Sequence, residues 1–282
     1  MGDGPLIVVR GLLLAVLPAT FGLAWFARRQ LVTRRALVIA TVAALLLSGV
    51  AFVLLAAAMT GAGVGSVDRD LLLMLVRDTT PGTAFLVRSA ALLAMLVALL
   101  VPQPRLTPVA VLAGVASATL AWNGHGAMEE GVAGRLHLIA DIVHLLAAGA
   151  WIGALAVFVT LAVRRSPQTA GALADFAGLG TAIVAAIVLT GIVNATMLVG
   201  IDGIARLGTS LYGQLLLAKL ALFALMLALA AANRFVLTPR LTASGDLRAL
   251  RISLSTEFAA GVLIVLLIGW AGTLEPPVSA MS

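Results

Sequence analysis

The sequence predicts an all-α integral membrane protein, a bundle of about eight transmembrane helices with both termini on the outer side. Three observations predict it. Hydrophobic residues make up 62% of the chain and charged residues 11%, with a mean hydropathy of +1.14. A soluble fold cannot hide that much apolar surface, whereas a bilayer requires it. Apolar runs of about 20 residues recur, the length that crosses ~30 Å of hydrocarbon at ~1.5 Å per residue. The arginines between the runs alternate in density, which sets the orientation.

The first run, roughly 5–27, is too long for a cleaved signal peptide, lacks a preceding basic region and is followed at once by Arg28, Arg29, Arg34 and Arg35. The second covers 36–59. The outer connection from Thr60 to Gly82 contains Asp68-Arg-Asp-Leu-Leu-Leu-Met-Leu-Val-Arg77, whose leucines predict a short helix lying at the interface. The third run spans 83–101. The fourth, 106–123, is the shortest and begins at Pro104-Arg-Leu-Thr-Pro108. The remaining spans are 136–162, 176–199, 213–236 and 251–273. No linker, composition shift or fixed-period repeat divides the chain, so residues 1–282 read as a single polytopic domain.

With the amino terminus outside, the inner loops hold Arg28, Arg29, Arg34, Arg35, Arg105, Arg164, Arg165, Arg240, Arg248 and Arg251. The outer loops hold Arg69, Arg77, Arg135 and Arg206, and ten against four favours this orientation. The net charge of +6 therefore reports topology and implies no nucleic-acid partner. Acidic residues mirror the pattern. Asp68, Asp70, Asp78, Glu129, Glu130, Asp202 and Glu275 fall on the outer side, a surface able to attract cations. There is no cysteine, which excludes disulfides and thiolate metal transfer.

Charges inside the spans are few: Arg10, Arg88, Asp141, Lys219 and Glu257. Asp141 and Lys219 lie at matching depths below the outer ends of spans five and seven. Glu257 and Arg234 lie near the inner ends of neighbouring spans, where a structural salt bridge is expected. The histidines concentrate the chemistry. All three, His125, His137 and His144, fall within twenty residues of one another. On a helix, His137, Asp141 and His144 are spaced i, i+4, i+7 and share one face. A carboxylate between two imidazoles on an apolar helix is costly without a partner. His125 falls just after span four, in the glycine-rich connection Gly124 to Gly134 that lets spans four and five approach, so the pattern reads as a funnel, with imidazole at the mouth, carboxylate below and imidazole deeper.

Imidazole and carboxylate suit Cu(II) and Zn(II), whereas thioether favours Cu(I). Met59, Met74, Met128 and Met197 lie at or near outer ends, and Met128, three residues from His125, is the best placed thioether. The primary metal set is therefore His125, Met128, His137, Asp141 and His144. Glu130, Asn194, Met197, Lys219 and Glu257 form a secondary set. Trp151, seven residues after His144, is read as a packed core residue able to wall the same path.

Asp141-Ile-Val-His-Leu-Leu-Ala-Ala-Gly-Ala-Trp-Ile-Gly153 resembles the histidine-helix signature of the copper resistance protein D family. Leu189-Thr-Gly191, Thr209-Ser-Leu-Tyr-Gly-Gln-Leu-Leu-Leu-Ala-Lys219, Ala232-Asn-Arg234, Glu257 and Glu275-Pro-Pro277 follow in the family's order. The resemblance runs from span four to the end, about half the chain. It implies a multi-pass protein of the bacterial inner membrane that moves copper between periplasm and cytoplasm, often beside a periplasmic copper-binding protein of the C type. By position it carries over His125, Asp141 and His144, with Tyr212, Lys219 and Glu257 as family-like polar positions. His137 fits the spacing. Gly153 followed by Ala154 departs from the paired glycines of many members, which affects packing.

The resulting expectation is a copper permease with a periplasm-facing His/Asp/Met site, taking Cu(I) or Cu(II), and not an enzyme. No ATP-binding loop is present, so transport would be downhill or proton-coupled. Two rivals are a non-transporting receptor or scaffold for a periplasmic copper carrier and a haem b redox protein. Haem needs axial ligands facing each other, usually from two helices, and only His125 lies off the His137–His144 helix.

Overall fold

In a computed structural model, the structure describes residues 4–27, 31–60, 63–123, 131–199, 204–272 and 274. The described chain is helical: α1 (Gly4–Ala27), α2 (Arg34–Thr60), α3 (Arg69–Asp78), α4 (Thr80–Leu100), α5 (Leu106–Ala118), α6 (Gly131–Val163), α7 (Thr169–Val199), α8 (Leu211–Ala232), α9 (Thr238–Ser244) and α10 (Arg248–Ala271). Among the described residues, 7 helices are long and apolar enough to cross a membrane, with α8 running through a π-helical turn, Asn233–Leu237, into α9 as one of them. The chain is a multi-pass membrane protein.

The fourth expected span differs. Leu106–Ala118 has 13 residues, a rise of ~20 Å against the ~30 Å of a hydrocarbon core. A 3-10 turn, Ala121–Asn123, follows it. The amino end of α6 also differs, because Gly131–Gly134, read from the sequence as connection, is its first turn. The expected helix in the Thr60–Gly82 connection is α3, capped by Asp68, which accepts from the Leu71 amide at 2.8 Å.

Backbone groups in hydrocarbon must bond internally, which is why every apolar run becomes a helix. Side-chain hydroxyls follow the same rule. Thr41 and Ser48 donate to the carbonyls four residues back at 2.7 Å. Buried Arg88 donates from Nε to Thr119 Oγ1 at 3.0 Å. The large exposed apolar residues, Leu46, Leu189, Ile192 and Leu220 among them, suit contact with lipid.

α6 is the centre. Half of its apolar window is buried (50%), against 17% for α7 and 11% for the α8–α9 helix. It packs on α1, α5, α7 and α10. Its contact with α1 is backbone against backbone: a Cβ on Gly153 would stand 2.5 Å from Gly22 Cα, and one on Gly149 2.5 Å from the Pro18 carbonyl oxygen. Small residues four apart allow such close approach, a main source of helix association in lipid. Phe26, Phe158 and Phe176 close the core beside this crossing.

Gly153→Ala should therefore cost ~1–3 kcal/mol by overpacking and lower the melting temperature of detergent-solubilised protein. Gly178→Ala, on an exposed face with open space around it, should leave melting unchanged or raise it.

Candidate functional site

Two faces of α6 do different work. At ~100° per residue, Gly149 and Gly153 point at α1, and the opposite face carries His137, His144, Trp151 and Phe158 at seven-residue intervals. Each interval is ~10 Å of axial rise. The first three of these side chains meet polar partners.

Towards the amino-terminal end of α6, His137 is buried with 1% of its side chain exposed, and its Nε2 lies 3.9 Å from Asp141 Oδ2. Asp141 is 23% exposed and reaches across to α7, where Asn194 Nδ2 donates to its Oδ1 at 2.7 Å. One turn deeper, His144 Nδ1 lies 2.9 Å from Thr190 Oγ1. That hydroxyl spends its proton on the Ala186 carbonyl at 2.6 Å, so it faces the ring with a lone pair. Neutral His144 therefore carries its proton on Nδ1, which leaves Nε2 as the nitrogen able to ligate a metal. Lys219, on α8, lies within electrostatic reach of both Asp141 and His144. When protonated it is a countercharge for the carboxylate and has no lone pair for a metal.

The structure thus brings His137, Asp141, His144, Asn194 and Lys219 together. Met197 is half-buried on α7, one turn beyond Asn194. His125, Met128 and Glu130 lie outside the described residues. Met59 and Met74 are exposed, on α2 and α3. Among the described residues no three His, Cys, Asp or Glu side chains gather closely enough to hold a metal by themselves. His137 and His144 project from one face of one helix, which does not offer haem two facing ligands.

A second polar cluster sits deeper. Glu257 on α10 is 2% exposed; Trp151 Nε1 donates to its Oε1 at 3.0 Å and Asn233 Nδ2 to its Oε2 at 2.9 Å. The expected Glu257–Arg234 salt bridge does not form. Arg234 instead donates to Thr181 Oγ1 at 2.7 Å and the Ala177 carbonyl at 3.2 Å on α7, and its guanidinium lies 5.2 Å from the centre of the Phe235 ring. Adjacent residues on a helix diverge by ~100°, so with Asn233 aimed at Glu257, Arg234 is turned away. Trp151 is a core residue as expected, packed edge-on against Phe223 at 5.9 Å, but it is also the carboxylate's donor. Asn233 and Thr190 were not legible as members of these clusters. Beyond their place in the family-like Leu189-Thr-Gly191 and Ala232-Asn-Arg234, their sequence signal is an amide or hydroxyl inside an apolar run, which a helix can also satisfy on its own backbone.

Comparison with known proteins gives two family matches: residues 1–135 to the copper resistance protein D-like N-terminal domain, and residues 170–271 to copper resistance protein D. His137, Asp141, His144 and Trp151 fall between the matched regions, and their partners Asn194, Lys219, Asn233 and Glu257 fall within the second. The chain is 44% identical over 256 residues to the copper resistance protein D of Pseudomonas syringae pv. tomato, covering 84% of this chain and 82% of that one. It is 33% identical over 194 residues to the inner membrane protein YebZ of Escherichia coli strain K12, covering 66% and 65%. It is 30% identical over 163 residues to the copper transport protein CutJ of Bacillus subtilis strain 168, covering 56% of this chain and 28% of that protein. No solved structure matches.

Asn194→Leu should strand Asp141 Oδ1 without its donor, at ~1–3 kcal/mol. In a double-mutant cycle with Asp141→Leu, the two losses should be non-additive by more than ~0.5 kcal/mol. Thermal melts of the four proteins in one detergent measure this.

Proposed function

The chain belongs to the copper resistance protein D family, and we propose that it carries copper across the bacterial inner membrane along the polar face of α6. The observation that carries this reading is the juxtaposition of His137, Asp141 and His144 with Asn194 and Lys219 in an otherwise apolar bundle. Intramembrane ionisable groups are expensive and mark ion paths.

In this reading both termini are periplasmic, and the acidic outer surface, Glu130 included, concentrates copper. His125 and Met128 take up the ion, with thioether suited to Cu(I) and imidazole to either state. The ion then passes to His137 and Asp141, where it displaces Lys219 as the countercharge and competes with Asn194. His144 receives it through Nε2, held in the right tautomer by Thr190. Met197 lines the approach. Glu257, held on α10 by the N–H groups of Trp151 and Asn233, which offer a metal no nitrogen lone pair, is not part of the copper site in this proposal. The bilayer is the protein's constant partner, and a periplasmic copper-binding protein of the C type fits the outer mouth. The activity is transport, with copper as cargo.

A second reading, a non-transporting receptor for such a carrier, draws on one observation: among the described residues the ligands do not close into a three-donor site. Copper retained by detergent-purified protein separates the two. Wild type should hold copper, His144→Ala should lose it, and Thr190→Val, which removes the group orienting the ring, should weaken it ~10–100-fold. Cellular copper content should change in Asp141→Ala and His144→Ala cells. Equal binding by wild type and His144→Ala, with unchanged cellular copper, would make His144 a packing residue and favour the receptor.

A further inference from the structure

A buried carboxyl at the other end of the α6 stripe has no assigned task. Glu257 stands ~13 Å from the start of α10, counted at ~1.5 Å per residue, on the side opposite the histidines. It borders a cavity of about 230 Å³ between α6, α7, α8 and α10, to which Trp151, Thr181, Asn233, Arg234, Thr238 and Glu257 give the polar lining. The rest of the lining is apolar, so room for water lies at the polar groups beside Glu257. Exposed Arg234 lies on the outer side of this space, buried Glu257 at its inner wall.

Two features single the carboxyl out. First, the charged groups around it do not neutralise it. Among the described lining residues the only cation is Arg234, committed to Thr181 and Ala177; α6 offers Trp151, and α7 and α10 bring no other charge to the cavity. An ionised carboxylate buried without a countercharge is costly. Second, Asn233, 5% exposed, uses Nδ2 on Glu257 and leaves Oδ1 buried with no hydrogen-bond partner among the described residues; Thr238 Oγ1, in the same cavity, is in the same position. Buried orphan acceptors require an explanation. Both border the cavity, where water can meet them, and the Asn233 amide can face Glu257 with either end. With Nδ2 forward, Asn233 donates to an ionised Glu257; with Oδ1 forward, it accepts from a protonated one. The Glu257–Asn233 contact is kept in both protonation states, and the far end of the amide faces the cavity in each.

We propose that Glu257 is an intramembrane proton-binding site, reached through the cavity beside the π-helical turn, with Asn233 as its positioning residue. One proton from water adds to the Glu257 carboxylate and leaves by the same route, and no other bond changes. The donor set is oxygen only, which suits a proton or a hard cation and not the imidazole-seeking copper of the outer cluster. π-turns inside helices often lie at functional sites, and here the turn places Asn233 towards Glu257 and Arg234 towards α7. The inference stands on this geometry and does not require the copper reading.

Infrared difference spectra of the full chain in detergent, recorded across a pH titration, test it. The expected result is a protonated-carboxyl C=O band that grows as pH falls and is lost in Glu257→Gln. Its midpoint should shift in Asn233→Leu and return towards wild type in Asn233→Gln. That second comparison keeps Glu257 intact, so it decides the matter even where Glu257→Gln fails to fold. A titrating band unchanged in Glu257→Gln, or insensitive to both Asn233 variants, overturns the proposal. So does a midpoint that moves when sodium replaces choline, which would make the site one for a metal cation. Copper flux in proteoliposomes reports separately on the transport reading. A Glu257 band with no copper flux keeps the proton site and removes the permease, whereas copper flux without the band does the reverse.

Discussion

The backbone contact between α1 and α6 is the constraint on which the rest of the structure depends. In lipid there is no hydrophobic force between helices, so association rests on close packing and on polar bonds. Gly22, Gly149 and Gly153 supply the first: their missing side chains let the Pro18 and Gly22 backbone lie directly on α6. That contact sinks α6 into the bundle and fixes its rotation. The opposite face, with its histidines and tryptophan, is then turned away from α1 and towards α7, α8 and α10.

The polar bonds supply the second. Each reaches from α6 or α10 to a different helix: Asp141 to Asn194 and His144 to Thr190 on α7, Trp151 to Glu257 on α10, and Glu257 to Asn233 at the end of α8. α7 and α8 have the smallest buried share of the long helices. Their attachment therefore leans on these few bonds more than α1's does. Net hydrogen-bond contributions are ~0.5–1.5 kcal/mol each, but a stranded buried partner costs ~1–3 kcal/mol. The groups that form the site are in this way also the groups that register the loosely packed helices.

The spans were legible in the sequence because hydrophobic length is a direct physical requirement of the bilayer, and the ends of α1, α2, α4, α6, α7, α8 and α10 fall within a few residues of those read from composition alone, α6 and α7 excepted at their amino ends. The one-face spacing of His137, Asp141 and His144 was legible because helical periodicity fixes it. What belongs to rotation between helices was not. Glu257 and Arg234 share a depth, and charge alone suggested a pair, but the π-turn assigns Asn233 to the carboxylate and sends Arg234 to Thr181. The short α5 was hidden because apolar residues continue past its helical end at Ala118. Asn194 read as a secondary metal candidate and Thr190 as part of a family motif, and only the approach of α7 shows that they hold Asp141 and His144. The mouth residues His125, Met128 and Glu130 remain sequence expectations.

The order of donors along α6 bears on how an ion would leave as well as arrive. Both imidazoles, with the Asp141 carboxylate between them, lie towards the amino-terminal end of α6, and the groups around Glu257 beyond Trp151 offer oxygen alone, Trp151 itself lying ~10 Å along the axis from His144. Conduction needs sites that bind well enough to be entered and poorly enough to be left. Under the copper reading, an ion at His144 has imidazole behind it and only oxygen ahead, a set that holds soft or borderline metals less well. The step inward is then one of release, not recapture, and a second histidine at the level of Glu257 would oppose it. The absence of nitrogen ligands around Glu257 among the described residues is what a one-way descent in affinity requires. A carboxyl there that trades protons is free to answer the arrival of charge above it, because it need never compete for the metal itself.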